Sequence, residues 1–236
     1  MNTYDITIVS SLYRTDKYIK NWSKALDSFV DEAALVGIRV QSVIIANEPT
    51  KIEHSELIKI KEKPYVKIIE VGRESLYASW NRGVREADAE VVSFWNVDDF
   101  RFFDAVSDGL KSITAGAELV YFPIIYKRYL TFFGIDFLVK KTIFRPAEFD
   151  RNRFINEMHC GPFFIFTKKL YEKVGPFDET FKIAGDFDWC SRAAKETEFV
   201  RSSKIGGIFE KRDGTLSGGK NTLQEEENGR VYSKNI

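Results

Sequence analysis

The sequence predicts an α/β fold: a mostly parallel central sheet flanked by helices, in a single domain. Three observations predict it. Four short apolar runs in the first half are rich in β-branched residues, as buried strands are. Helix-patterned segments separate them, and apolar strands alternating with helices argue a parallel sheet covered on both faces. Polar clusters then close three of the runs: Ser10-Ser11, Asn47-Glu48 and Asp98-Asp99. Ligands of such sheets bind outside the carboxyl ends of the strands, so the three clusters are expected to share one site.

"DITIVSS" (Asp5 to Ser11) reads as the first strand. Asp16 is placed to cap a helix through "KYIKNWSKALDSFVDEA", where Ile19, Trp22, Leu26 and Phe29 recur at helical spacing. "IRVQSVIIANE" is the second strand and "VKIIEVG" the third, followed by a helix over "SLYASWNRGVREA". "EVVSFWNV" is the fourth and runs into Asp98-Asp99. The second half is less regular. "ELVYFPIIYKRYLTFFGIDFLVKK" (Glu118 to Lys141) reads as strands or a short amphipathic element. "GPFFIFTKKLYEKVGPFDETF" gives a strand, a helix over Lys168 to Val174 and a turn at Gly175-Pro176. "GDFDWCSRAAKE" is a helix with Asp186 just before it, and the glycine-rich tail suits a mobile loop plus a short terminal helix. With no repeats and no linker, 236 residues read as one domain.

Composition narrows the classes. The chain is 44% hydrophobic and 30% charged, ordinary for a soluble globular enzyme. Lys plus Arg equals Asp plus Glu at 35 each, so no global field draws in nucleic acid or an anionic bilayer. Cys160 and Cys190 lie far apart without zinc-site spacing and suit a reducing cytoplasm. The N-terminus lacks the pattern of a signal peptide, and no apolar stretch reaches the roughly 20 residues that span a bilayer. A cytoplasmic location is expected. His54, in "KIEHSELIK", reads as a surface residue, and His159, in "EMHCGPFF", as a structural one.

Asp98-Asp99 raises the sharpest question, because adjacent carboxylates repel and burial makes that worse. One reading has an aspartate capping a helix that starts near Phe102 or Phe103, which accounts for one acid of the two. The other is a divalent cation site: hard oxygen ligands suit Mg²⁺ or Mn²⁺, which keeps waters and bridges a substrate diphosphate. Local physics leaves both open.

Five segments, in order, carry a resemblance. "ITIVSSLYR", "VIIANEPT", "SLYASWNRGVREADAEVVSFWNVDDFR", "GPFFIFTKKLYEKVGPFDETF" and "AGDFDWCSRAA" resemble the successive motifs of family 2 glycosyltransferases with the GT-A fold, over about residues 5 to 220. The resemblance implies an inverting glycosyltransferase of polysaccharide biosynthesis. It would move a sugar from a nucleotide-diphosphate donor, UDP-linked, to a hydroxyl of a glycan or lipid-linked glycan, with Mn²⁺ or Mg²⁺ as cofactor. It implies a donor-binding half over about 1–100, an acceptor-binding half over about 101–220 and a tail over 221–236. Carried over, Ser10 lies beside the nucleotide base and Glu48 replaces the acid that hydrogen-bonds it. Asp98 binds ribose or metal, Asp99 is the main ligand of the cation, and Asp186 is the general base. Asp186 also reads as an N-cap of a helix from Phe187, a role compatible with catalysis.

Arg73 and Asn81 flank the donor helix: Arg73 reaches the base or phosphate, and Asn81 contacts the donor or fixes the loop geometry. Lys211, Arg212 and Lys220 read either as a lid over the diphosphate or as a solvated loop. The sequence departs from the family pattern at Asn96, where the first acid of the DxD motif belongs, and at Asn47-Glu48-Pro49, in place of an acid pair and glycine. The aromatic-basic stretch 118–141 has three readings: core, the default; a sugar-stacking acceptor wall; or a surface touching the inner face of a membrane. Two other functions stay open. A sugar nucleotidyltransferase would need a glycine-rich loop after the first strand, where Arg14 and Lys17 stand without glycine; a non-catalytic nucleotide-sugar or glycan-binding module would have lost its acids.

Overall fold

The computed structural model describes residues 3–133, 135–212 and 222–235. Its first half follows the apolar runs. β1 (Ile6–Leu12) has a neighbour on each side, and every residue in it except Ser11 is buried. α1 (Ile19–Leu35) turns its Ile19, Trp22, Leu26 and Phe29 stripe inward. Asp16 does not cap it: Tyr18 precedes the helix with no side-chain cap, and the Asp16 carboxylate accepts from the Thr50 hydroxyl instead. β2 (Val40–Asn47) leads to α2 (Lys51–Ile60), opened by a reciprocal capping box between Thr50 and Glu53. β3 (Val66–Val71), α3 (Leu76–Arg85) and β4 (Val91–Phe94) complete this half. Gly83 lets α3 lie against β1, since a Cβ there would stand 2.2 Å from a Val9 methyl carbon.

The rest comprises β5 (Phe100–Arg101), α4 (Phe103–Thr114), β6 (Leu119–Tyr121), β7 (Ile124–Phe132), β8 (Ile135–Phe144), α5 (Arg151–Asn156) and β9 (Ile165–Thr167). It continues with α6 (Lys168–Val174), α7 (Gly185–Glu196), β10 (Val200–Arg201), β11 (Gly207–Lys211) and α8 (Thr222–Ser233). Seven strands form the central sheet in the order β10-β6-β9-β4-β1-β2-β3, parallel except for β9, which runs antiparallel to β4 and β6. That order sets the carboxyl ends of β4, β1 and β2 side by side. A second sheet of four strands, β5-β11-β7-β8, rises from the end of β4 and was not foreseen.

Two expectations change here. The stretch 118–141 is strand, yet most of it is not core. Among the described residues β11 pairs with β7 as far as Arg128, and beyond that β7 pairs with β8 alone. The hairpin therefore projects, leaving Phe132 67% and Phe133 93% exposed. Asn81 likewise faces inward. Its carboxamide donates to the Phe177 carbonyl and to Glu179, each at 2.9 Å, and accepts from the Tyr171 hydroxyl and the Phe177 amide. All its hydrogen-bonding capacity is spent fixing the turn at Gly175–Phe177, so it has none for a donor.

That turn closes an aromatic cluster. Trp80 of α3 stacks on Phe94 of β4 with ring centroids 3.9 Å apart, Phe177 meets both edge-on, and Trp189 of α7 lies against Phe177 at 5.0 Å. Replacing a buried ring in such a cluster loses transfer energy and leaves a cavity. Trp80→Ala is expected to lower unfolding free energy by about 3–5 kcal/mol, measured by urea denaturation followed by far-UV circular dichroism; a loss below about 1 kcal/mol would show that the cluster can collapse around the gap.

Candidate functional site

A cleft of about 1040 Å³ opens over the carboxyl ends of β1, β2 and β4, and Asp98, Asp99 and Asp186 all line it. The volume is at the upper end of what encloses a small ligand. The acid pair sits on a tight turn. The Trp95 amide bonds back to the Val9 carbonyl, the Asp99 amide to the Asn96 carbonyl at 3.0 Å, and the Trp95 indole to the Asp99 carbonyl at 3.1 Å. Arg101 anchors the exit, donating to the carbonyls of Phe94 and Phe163. The helix-cap reading of the pair fails: α4 begins at Phe103 with no side-chain cap.

Asp99 is buried, and its Oδ1 accepts from the Glu210 amide of β11 at 3.2 Å. Loss of water pushes its pKa well above the usual carboxylate range, and the Asp98 charge adds to this. Asp98 is half-buried and also raised by desolvation, with Arg212 opposing. Among the described residues no group of three or more His, Cys, Asp or Glu gathers to hold a metal. Two hard oxygen donors facing an open cleft nevertheless fit Mg²⁺ or Mn²⁺, which takes few protein ligands and keeps positions for water and phosphate. A cation there would relieve the charge that burial penalises.

Asp186 stands in the first turn of α7 rather than before it, because Ala184 is the cap position and has no side-chain bond. Its Oδ1 accepts from the Phe187 amide at 2.9 Å and lies 3.3 Å from the Tyr77 hydroxyl, which donates to the Ile183 carbonyl at 2.6 Å. Burial pushes the Asp186 pKa up to about 6. Tyr77 reaches it across the face of Gly185, where a Cβ would meet the ring at 2.5 Å. The preceding loop is held from the far end of the chain. The buried Glu227 carboxylate of α8 accepts from the amides of Lys182, Ile183 and Ala184, each at 2.9 Å. Sequence reasoning missed Glu227, and nothing in "QEEENGR" sets it apart from Glu225 and Glu226.

The opposite end of the cleft is aromatic and polar. The Arg73 guanidinium stacks 3.2 Å from the centre of the Tyr13 ring, and both residues line the cleft with Ser11 and Asn47. Asn47 donates to the Ser79 hydroxyl at 2.9 Å and accepts from the Glu74 amide. Arg14 and Glu48, just past β1 and β2, have left-handed backbones, with φ 56° and 42°. Non-glycine residues in that region concentrate at functional sites.

No family model matches the sequence, and no curated protein matches it. Solved structures do. S. aureus TarS 1–349 in complex with UDP-GlcNAc superposes with a TM-score of 0.74 at 17% identity, covering 98% of this chain and 66% of that one. Full-length S. aureus TarS gives 0.67 at 16% identity, over 87% of this chain and 36% of that one. The mannosyltransferase PcManGT from Pyrobaculum calidifontis, in complex with GDP-Man and Mn²⁺, gives 0.64 at 13% identity, over 100% of this chain and 65% of that one. The chain has the GT-A fold. It spans less than two thirds of the length of each of these proteins.

On this GT-A scaffold the predicted residues divide. Asp98, Asp99, Asp186 and Arg73 line the one cleft. Ser10 does not: it is buried and donates to the Trp95 carbonyl at 2.8 Å, while its neighbour Ser11 faces the cavity. Glu48 is exposed past the left-handed turn, and Asn47 takes the inward place. Lys211 and Arg212 lie outside the cleft walls. Arg212 pairs with Glu210 and Asp136 and lies over the Tyr129 and Tyr18 rings, so it braces β7–β8. Lys220 lies outside the described residues. His54 is exposed, and His159 is buried against Phe154 with Glu157 on its Nε2. Glu53 was also missed: buried, it accepts from the Thr15 amide and hydroxyl at 2.6 Å, tying the loop after β1 to α2. Here a signal existed, the Thr-x-x-Glu of "TKIE".

The acid pair makes a thermodynamic prediction. A carboxyl whose folded pKa is raised binds its proton more tightly when folded, so it lowers stability as pH rises above the unfolded value of 3.8. Mn²⁺ should therefore raise the melting temperature more at pH 7.5 than at pH 5, because protons compete increasingly as the pH falls. Asp99→Asn should raise the metal-free melting temperature at pH 7.5 and abolish the Mn²⁺ response. Differential scanning fluorimetry at the two pH values checks both.

Proposed function

We propose that the protein is a metal-assisted inverting glycosyltransferase that moves a sugar from a nucleotide-diphosphate donor to a hydroxyl of a glycan or lipid-linked glycan. One observation carries the reading: a paired-acid turn and a separate acid of raised pKa line the same cleft at the strand ends of a GT-A sheet. The TarS complex with UDP-GlcNAc supports a uridine donor, and the PcManGT complex with Mn²⁺ supports the cation. The nucleotide base occupies the Tyr13–Arg73 end, where Asn47 and Ser11 offer hydrogen bonds in place of Glu48 and Ser10.

Asp98 and Asp99 would hold Mn²⁺ or Mg²⁺, which when bound would supply positive charge to offset the charge that develops on the leaving diphosphate. Asp186 takes the proton of the acceptor hydroxyl as that oxygen attacks the anomeric carbon from the face opposite the leaving group, which inverts the centre. Both its hydrogen bonds converge on Oδ1, leaving Oδ2 as the oxygen that receives the proton. A carboxylate near pKa 6 is a stronger base than an ordinary one and is still ionised at neutral pH.

Incubation with UDP-, dTDP- and GDP-sugars, with and without Mn²⁺, tests the reaction class. Release of nucleoside diphosphate that depends on Mn²⁺ is expected, and consumption of nucleoside triphosphate with a sugar phosphate would replace this reading with nucleotidyl transfer. Asp186→Asn should keep donor affinity, by calorimetry, within about twofold while transfer falls by about 10²–10⁴. The wild-type kcat/KM should rise about tenfold per pH unit below pH about 6 and level off above it, as the base loses its proton.

A further inference from the structure

The β7–β8 hairpin carries an apolar tip that nothing in the described chain covers. Leu130 pairs with Phe137 and Phe132 with Ile135, so these four side chains share one face of the ribbon, and all four are exposed. Phe133 is the most exposed large apolar residue and is held outward at the turn with a left-handed φ of 49°. The opposite face is pinned to the body. Asp136 accepts from Thr131 and pairs with Lys17 and Arg212, which neutralises the one acid in the sequence of β7 and β8.

Below the apolar layer comes a collar of cations. Arg128 stands opposite Lys140 and Lys127 opposite Lys141; Lys140 and Lys141 are exposed, and Lys127 pairs with Glu210. Four residues separate Phe132 from Arg128, roughly 13 Å of strand. An interfacial element buries its apolar side about 5–10 Å deep, which would leave such cations level with lipid headgroups. The chain is neutral overall, so this collar is a local field rather than a share of a global one.

We propose that the hairpin tip docks the protein on an anionic phospholipid bilayer, with Phe132, Phe133 and Ile135 entering the acyl boundary and Lys140 and Lys141 meeting the headgroups. The charges favour a bilayer over a second copy of the chain. β8 is an edge strand, and lysines on an edge oppose strand addition. Among the described residues no helix is long and apolar enough to cross a membrane, so the contact proposed is peripheral. Lys140 stands on the same face as Tyr126, Thr142 and Phe144 and lines the cleft with them, while Lys141 is on the other face; docking through Lys140 therefore brings the mouth of the cleft to the bilayer surface.

Flotation with phosphatidylcholine vesicles, with and without phosphatidylglycerol, tests this without reference to glycosyl transfer, so its failure leaves the proposed reaction standing. Wild-type protein should float with the anionic vesicles, at least about tenfold more than with the neutral ones, and less at high salt. Phe132→Ser with Phe133→Ser, and separately Lys140→Glu with Lys141→Glu, should each reduce flotation about tenfold with unchanged circular dichroism. Leu35→Ser, at an apolar residue 87% exposed at the end of α1, should leave it unchanged. Equal binding to both vesicle types, an equal loss with Leu35→Ser, or a solution dimer that the tip substitutions dissociate would overturn the proposal.

Discussion

The stacking of Trp80 on Phe94, extended through Phe177 to Trp189, fixes both walls of the cleft at once. Three of the four rings stand within a few positions of a residue that lines the cleft. Phe94 ends β4 just before the acid turn, and Trp189 lies one turn after Asp186 in α7. Tyr77, which reaches Asp186, sits one turn before Trp80 on α3, on the same helix face. Displacing the cluster would move the acids relative to one another even though none of its rings carries a charge. Asn81 serves the same end from within, holding the Phe177 turn through four hydrogen bonds.

Above that cluster the protein sets desolvated carboxylates in three different ways. Glu227 is satisfied by three backbone amides and serves as an anchor. Asp186 receives one amide and a tyrosine hydroxyl, both on the same oxygen, and keeps a proton affinity suited to acid–base work. Asp99 has one backbone amide, a long 3.5 Å contact from the Asn96 carboxamide and an adjacent like charge, an arrangement that favours a proton or a cation. The gradient from fully to sparsely satisfied acids separates scaffold from chemistry without any change of residue type.

Much of this was legible in the residues. Apolar runs and helical stripes located β1 to β4, α1 and α3, because strands buried on both faces leave that signature. The acid pair announced itself as an electrostatic anomaly. What failed was resolution of a single residue. Side chains alternate along a strand, so choosing Ser10 over Ser11 reverses the face, and at Glu48 a left-handed backbone turns the last acid outward. Core is the default among three readings of the aromatic-basic stretch; the exposure of the hairpin follows from pairing that, among the described residues, carries β11 only to Arg128, a fact of topology rather than composition. For Arg212 the sequence leaves a lid and a solvated loop open; its charge is engaged by Glu210, two residues before it, and by Asp136 of β8, a partner that sequence order does not bring near.

The Glu227 clamp also imposes an order on biosynthesis. The amides of residues 182–184 wait for a side chain that leaves the ribosome 43 to 45 residues later. Until α8 has emerged, the loop ahead of α7 has no carboxylate to hold it, and Asp99 likewise waits for the Glu210 amide of β11. Both walls of the cleft are thus completed from the C-terminal side of the chain, after the strands that carry them have been made.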